Sequence, residues 1–257
     1  MKELKGKWAL VTGASSGIGA DLARLYAKAG CHLIITARRE QRLTELKKEL
    51  SGQYDTQIEV IQNDLGTETG PQELFDAVEA KNIQVSILIN NAGIALSGKF
   101  QDIPLDKKLG IIQLNLVSLT KLTHLFLQGM ISRREGWIMQ VASVYGFQPG
   151  PNMATYAATK AYVISLSEAL NYELKTPKHP SKTSKKVLFI NPSSNHKNNK
   201  NPQTSNRRHS RHATTRRHRI WARNLRFPHC PRQTNIKRRT ATVRSKMLVR
   251  LPQFGHF

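Results

Sequence analysis

A tyrosine and a lysine stand four residues apart in Met153-Ala154-Thr155-Tyr156-Ala157-Ala158-Thr159-Lys160. If this segment is helical, the two side chains share one face, one turn apart. A free phenol titrates near pH ~10 and is a poor base at neutrality. An ammonium beside it favours the phenolate and lowers that value. The pair is therefore a device for moving a proton on or off an alcohol oxygen. Taken alone, the spacing more often marks a packed ring next to a solvated amine. The remainder of the chain must position the pair over something reactive for the chemical reading to hold.

The positioning elements begin at the N-terminus. Trp8-Ala9-Leu10-Val11-Thr12 is a short apolar run of the kind that forms a buried strand. The turn Gly13-Ala14-Ser15-Ser16-Gly17-Ile18-Gly19 follows, and then a helical pattern that ends at Gly30. A strand, a glycine-rich turn and a helix together offer backbone N–H groups and a helix N-terminus to a phosphate. The spacing is Gly-x-x-x-Gly-x-Gly rather than the commoner Gly-x-Gly-x-x-Gly. A second strand, residues 32–37, ends at Arg38-Arg39 with no acid. An acid there would bond a ribose 2′-hydroxyl, whereas an arginine suits a 2′-phosphate. Arg38 therefore points to NADP(H) over NAD(H).

Helices are expected over residues 40–50 and 71–80, with strands over 58–62 and 85–90. Asp64 follows the third strand, where it would meet the adenine edge. Asn91-Ala92-Gly93 follows the fourth, where small residues let the backbone approach a cofactor. A long helix is expected over 105–131, with Asn115 inside it as a polar amide that must find partners. A fifth strand, residues 137–142, ends in Ser143. After a loop rich in proline, the helix bearing Tyr156 and Lys160 runs to about residue 174. This alternation predicts an α/β fold, a doubly wound parallel sheet of Rossmann type. In such sheets ligands sit at the carboxyl ends of the strands, where Gly13, Arg38, Asn91 and Ser143 all fall.

These motifs, in this order, resemble the short-chain dehydrogenase/reductase family, single-domain type, over residues 1–174. The matching positions are Thr12-Gly13-x-x-x-Gly17-x-Gly19, Asp64, Asn90-Asn91-Ala92-Gly93, Asn115, Ser143 and Tyr156-x-x-x-Lys160. The resemblance implies that Tyr156 is the general acid/base and that Ser143 bonds the substrate oxygen. It implies that Lys160 lowers the tyrosine pKa and holds the nicotinamide ribose, and that Asn115 holds a water relaying protons to Lys160. Gly13, Ser15, Ser16, Gly17, Ile18, Gly19, Arg38, Asp64, Asn91, Ala92, Gly93, Tyr156 and Lys160 would bind the cofactor. The substrate would be a secondary alcohol or ketone, and a homodimer or homotetramer would be the assembly.

The rest of the chain departs from that pattern. Of 40 lysines and arginines and 17 acids, residues 1–173 hold 18 and 17, and residues 174–257 hold 22 and none. At the front's frequency, about eight acids belong in a segment of that length. The family continues with a sixth strand ending in Pro-Gly; here Val187-Leu188-Phe189-Ile190 runs into Asn191-Pro192-Ser193. The expected division is a Rossmann-type NADP(H)-binding and catalytic domain over 1–190 and an atypical basic tail over 191–257. In this reading the C-terminal part of the fold is missing or disordered. Three origins compete: an out-of-frame end, a basic arm for polyanions such as nucleic acid, or an unusual substrate cap. His209-Ser210-Arg211-His212 with Cys230 is too loosely spaced for metal, and no metal is expected. The polyanion arm on an inactive dehydrogenase-like product is the alternative to an enzyme. Cys31 and Cys230 form no disulfide framework. With no signal peptide and no apolar run near ~20 residues, a cytoplasmic protein with no membrane partner is expected.

Overall fold

The computed structural model describes residues 4–174 and the backbone of 185–190, and the structural statements below concern those residues. The chain divides into two units, Met1–Lys200 and Asn201–Phe257. The second unit lies outside the described residues. So does the whole of the expected basic tail, residues 191–257, with the competing readings of its origin.

Six strands form one parallel sheet. They are β1 (Trp8–Thr12), β2 (His32–Ala37), β3 (Ile58–Gln62), β4 (Val85–Asn90), β5 (Gly136–Val141) and β6 (Lys185–Ile190). Their spatial order is β3-β2-β1-β4-β5-β6. The chain winds outward from β1 to β3, crosses back to β4, then winds the other way. This leaves a crevice at the strand tips where the order reverses. β6 continues the parallel register, from Gly136 opposite Lys185 to Val141 opposite Ile190.

The helices are α1 (Gly17–Lys28), α2 (Glu40–Gln53), α3 (Gly70–Glu79), α4 (Leu105–Ile112), α5 (Leu119–Ser132) and α6 (Ala154–Glu173). Strand side chains alternate between two apolar layers. Ala9, Val11, Leu33, Ile35, Ile87 and Ile89 pack against α1 and α2, through Ala23 and Ala27 of α1 and Leu43, Leu46 and Leu50 of α2. Leu10, Ile34 and Leu88 face the other way, onto Leu74 and Val78 of α3 and Leu122, Phe126 and Met130 of α5. Each such aliphatic side chain contributes about 1.5–3 kcal/mol on burial. The continuous apolar strands β1, β2 and β4 are what a sheet covered on both faces requires.

The expected long helix is α4 and α5 joined by a π-helical turn, Gln113–Ser118. This run corrects one expectation. Leu105–Ser132 is long and apolar enough to cross a membrane by length and composition alone. The run escapes notice in the sequence because Gln113, Asn115, Lys121 and His124 interrupt it. In the fold, one stripe of it is core: Ile111, Leu119, Leu122, Phe126 and Met130 are buried.

Candidate active site

The glycine-rich turn is shaped by how closely β1 and β4 end together. Gly13 has φ +66°, and a Cβ there would lie 2.9 Å from Asn91 Nδ2 and 3.0 Å from Ala92 Cα. A Cβ on Gly19 would lie 2.2 Å from the Gly13 carbonyl oxygen and 2.5 Å from Asn91 Nδ2. Both glycines are thus demanded by chain packing. Gly19→Ala is expected to destabilise the fold by roughly 1–3 kcal/mol or more, because backbone must shift. A urea midpoint unchanged from wild type would show that the turn has more room than this.

Thr12 ties the two strand tips together. Its hydroxyl donates to Ile89 O (3.1 Å) and accepts from the backbone N–H groups of Asn91 (2.9 Å) and Ala92 (3.0 Å). Asn91 Nδ2 returns bonds to Thr12 O (2.9 Å) and Gly13 O (3.3 Å). Asn91 thus holds the turn in shape, beyond the backbone approach expected of it. Sequence reading includes Thr12 only as a motif letter; a threonine at the end of an apolar strand carries no local sign of this role.

A cavity of about 410 Å³ opens over these tips. Arg38 and Asp64, after β2 and β3, line one end, Gly13, Ser15, Ser16, Ile18, Gly19, Asn91, Ala92 and Gly93, after β1 and β4, the middle, and Tyr156 and Lys160, beside the tip of β5, the far end. Asn115, Ser143 and Gly17 stand outside that lining. Ser16 occupies the N-cap of α1, yet its side chain makes no capping bond, and the first turn of α1 holds no acid. The helix N-terminus is therefore left for an anion.

Arg39, adjacent to the expected Arg38, reaches the turn. Its Nη2 donates to Ser16 Oγ (2.8 Å) and Ser15 Oγ (3.1 Å). Arg38 lines the same cavity, and its backbone carbonyl accepts from Gln62 Nε2 (3.1 Å). Two guanidiniums and no paired acid make this end of the cavity cationic. Asn63, also on the lining, has a buried Oδ1 with no hydrogen-bond partner among the described residues. An orphaned buried acceptor just behind the cavity wall is the kind of group a bound ligand or water satisfies once the wall shifts. Asp64 Oδ1 accepts from the Gly66 N–H (2.9 Å), so its carboxylate also shapes its own loop. The helix N-terminus, the arginine pair and the orphaned Asn63 acceptor together fit a phosphorylated dinucleotide.

At the other end, α6 presents Tyr156 and Lys160 one turn apart. Lys160 is only 6% exposed, so it is no solvated amine. Its Nζ donates to the Val141 carbonyl (2.7 Å) at the tip of β5 and lies 5.7 Å from the Tyr156 ring centroid. Desolvation lowers its pKa from 10.5 to about 8. A lysine buried without an acid and facing a cavity is the kind of perturbed group found at functional sites. The Tyr145 ring stands edge-on to Tyr156, with centroids 6.1 Å apart. Ser143 caps the short 3-10 turn Val144–Gly146 that carries Tyr145, accepting from the Tyr145 N–H (3.4 Å).

Asn115 is buried within the π turn. Its Oδ1 accepts from the Ile94 N–H (3.0 Å), and its Nδ2 donates to Ile94 O (2.9 Å) and Thr159 Oγ1 (3.1 Å). It pins the loop following Gly93 to the helix of Tyr156. A Cβ on Gly93 would lie 3.1 Å from Asn115 Oδ1 and 3.7 Å from Lys160 Nζ, so Gly93 sits between them. The fold thus brings the sequence-predicted site residues around one crevice, with Gly17, Asn115 and Ser143 set back from its lining. Arg39, Thr12, Asn63 and the Val141 carbonyl join them.

The chain belongs to the short-chain dehydrogenase family, whose model matches residues 7–178. Among curated relatives, it is 39% identical over 168 residues to the uncharacterized oxidoreductase YvaG of Bacillus subtilis (strain 168), covering 65% of this chain and 62% of that protein. It is 35% identical over 177 residues to a very-long-chain 3-oxoacyl-CoA reductase of Anas platyrhynchos, covering 66% and 56%. The chain therefore spans little more than half the length of these relatives. Among solved structures, a short-chain dehydrogenase from Sphingobium yanoikuyae in complex with NADPH superposes with a TM-score of 0.65 at 34% identity, covering 71% of this chain and 70% of that one. The bulky-bulky ketone specific alcohol dehydrogenase from Comamonas testosteroni also gives 0.65 at 34% identity, covering 71% and 72%.

Proposed function

We propose that this chain interconverts a secondary alcohol and a ketone with NADP(H), Tyr156 serving as the acid/base. The observation that carries the reading is the buried Lys160 beside Tyr156, at one end of a cavity whose other end is the arginine pair. The dinucleotide, when bound, supplies or takes up the hydride. Gly13, Ser15, Ser16, Ile18 and Gly19 would hold its pyrophosphate against the N-terminus of α1. Asp64 and Asn63 would face its adenine. In ketone reduction the Tyr156 hydroxyl gives its proton to the carbonyl oxygen; in alcohol oxidation the phenolate takes it back. Ser143 Oγ would donate to the same oxygen. The Lys160 ammonium, held by the Val141 carbonyl, stabilises the negative charge that develops on the phenolic oxygen. Asn115 keeps Ile94 and Thr159 in place around it, and a water there would pass protons to Lys160.

The test is nicotinamide absorbance change on a panel of ketones and secondary alcohols. Dinucleotide binding with no turnover on any of them would remove the catalytic part of the proposal. The cofactor preference has its own test. A charge-assisted bond contributes about 1.5–3 kcal/mol, so Arg38→Ala with Arg39→Ala should weaken NADPH about 10–100-fold. NADH affinity should change far less, and equal losses for both would show that the arginines do not read the 2′-phosphate.

The proposal extends to a homodimer or homotetramer in the cytoplasm. The buried free thiol of Cys31 suits a reducing setting. The polyanion-binding alternative rests on residues 174–257, almost all of them outside the described residues, and none of the relatives above favours it.

A further inference from the structure

The loop after β3 carries Asp64 and Leu65 on the cavity wall. Three side chains from the π turn and the start of α5 grip its backbone. Ser118 Oγ donates to Leu65 O, Gln113 Nε2 to Thr67 O (3.1 Å), and Lys121 Nζ to Glu68 O (2.9 Å). Ser118 is 1% exposed, so its bond is shielded from water. Two of these three residues, Gln113 and Ser118, belong to the same six-residue π turn as Asn115. Asn115 grips Ile94 and Thr159 at the catalytic end. A π turn adds one residue to a helical turn, and such turns occur often at functional sites. Here it is a single short element bonded to both ends of the cavity.

We propose that the π turn is a positioning element coupling the adenine end of the site to its catalytic end, with Ser118 and Gln113 as positioning residues. This rests on the cofactor reading above. A ligand that fixes the 64–68 loop fixes Leu65 O and Thr67 O. Through Ser118 and Gln113 it fixes the π turn, and through Asn115 it fixes Ile94 and the Thr159 turn beneath Tyr156 and Lys160. Binding half the cofactor thus prepares the place for the other half.

Adenosine 2′,5′-bisphosphate isolates the adenine end, because it cannot reach the catalytic residues. The readout is hydrogen exchange at the Ile94 N–H, whose acceptor is Asn115. A ligand at a hundredfold excess over its Kd deepens protection by mass action, so in the full wild-type chain exchange at Ile94 should slow by about tenfold or more. In Ser118→Ala the fragment should still slow exchange in the 64–68 loop but no longer at Ile94. Ser118→Thr, which keeps the hydroxyl, should restore the effect, and Gln113→Ala should weaken it without disturbing a buried position. Slowing at Ile94 that persists unchanged in both alanine variants, or that never occurs in wild type despite fragment binding, overturns the coupling. Failure of both the fragment and NADPH to bind wild type overturns the cofactor reading itself.

Discussion

Tyr156→Phe should lower turnover by about 10²–10⁴-fold, the usual contribution of a positioned acid/base. The substitution removes one oxygen. It keeps the ring that meets Tyr145 edge-on and lies 5.7 Å from Lys160 Nζ. The cavity wall and the glycine-rich turn stay as they are, so NADPH affinity should change by less than about threefold, a difference below 1 kcal/mol. Titration of NADPH fluorescence measures the second quantity and steady-state kinetics the first. Wild-type rates in this variant would take Tyr156 out of the reaction, whatever the cofactor does.

Lys160→Met should abolish activity and yet stabilise the protein measured without dinucleotide. Burial lowers the Lys160 pKa to about 8, so folding at neutral pH carries the cost of desolvating its charge. A shift of that size corresponds to about 3 kcal/mol. The bond to the Val141 carbonyl offsets part of it, which leaves a net gain of about 1–2 kcal/mol for methionine at pH 7. The sign with pH follows. Below pH 8 both folded and unfolded chains hold the proton, and the cost is complete. Between 8 and 10.5 the unfolded chain holds it and the folded chain has lost it. The unfolded state then binds more protons, and stability from this group rises with pH. The advantage of the variant should therefore shrink across that window, as read by urea midpoints at pH 7 and pH 9.5. Catalysis should move the other way in wild type. The charge that supports the phenolate is present below about pH 8 and lost above it, so ketone reduction should decline through that value. A variant less stable than wild type at pH 7 would mean that the Val141 bond outweighs desolvation.

The largest gain from the fold over the sequence concerns where polar groups are spent. Arg38 and Arg39 are indistinguishable as letters; the extended backbone at the end of β2 decides that Arg39 reaches Ser15 and Ser16. Asn115 in a helical pattern signals only that an amide needs partners. That both its donor and its acceptor go to Ile94 depends on the π turn, which no periodicity announces.

What the sequence determined by itself is the scaffold and the cast. Short aliphatic runs of five or six residues bounded by glycine and polar residues read as covered strands, so β1 to β4 appear at the bounds read from the letters. The phenol and the amine share a face because a helix turns every 3.6 residues. Tertiary structure decided the state of those groups. Lys160 is dry because α6 lies against the tip of β5, and its charge is therefore costly and responsive to pH. That contact joins Val141 and Lys160, 19 residues apart, so it exists only once the chain has crossed from β5 into α6 and folded back on the sheet.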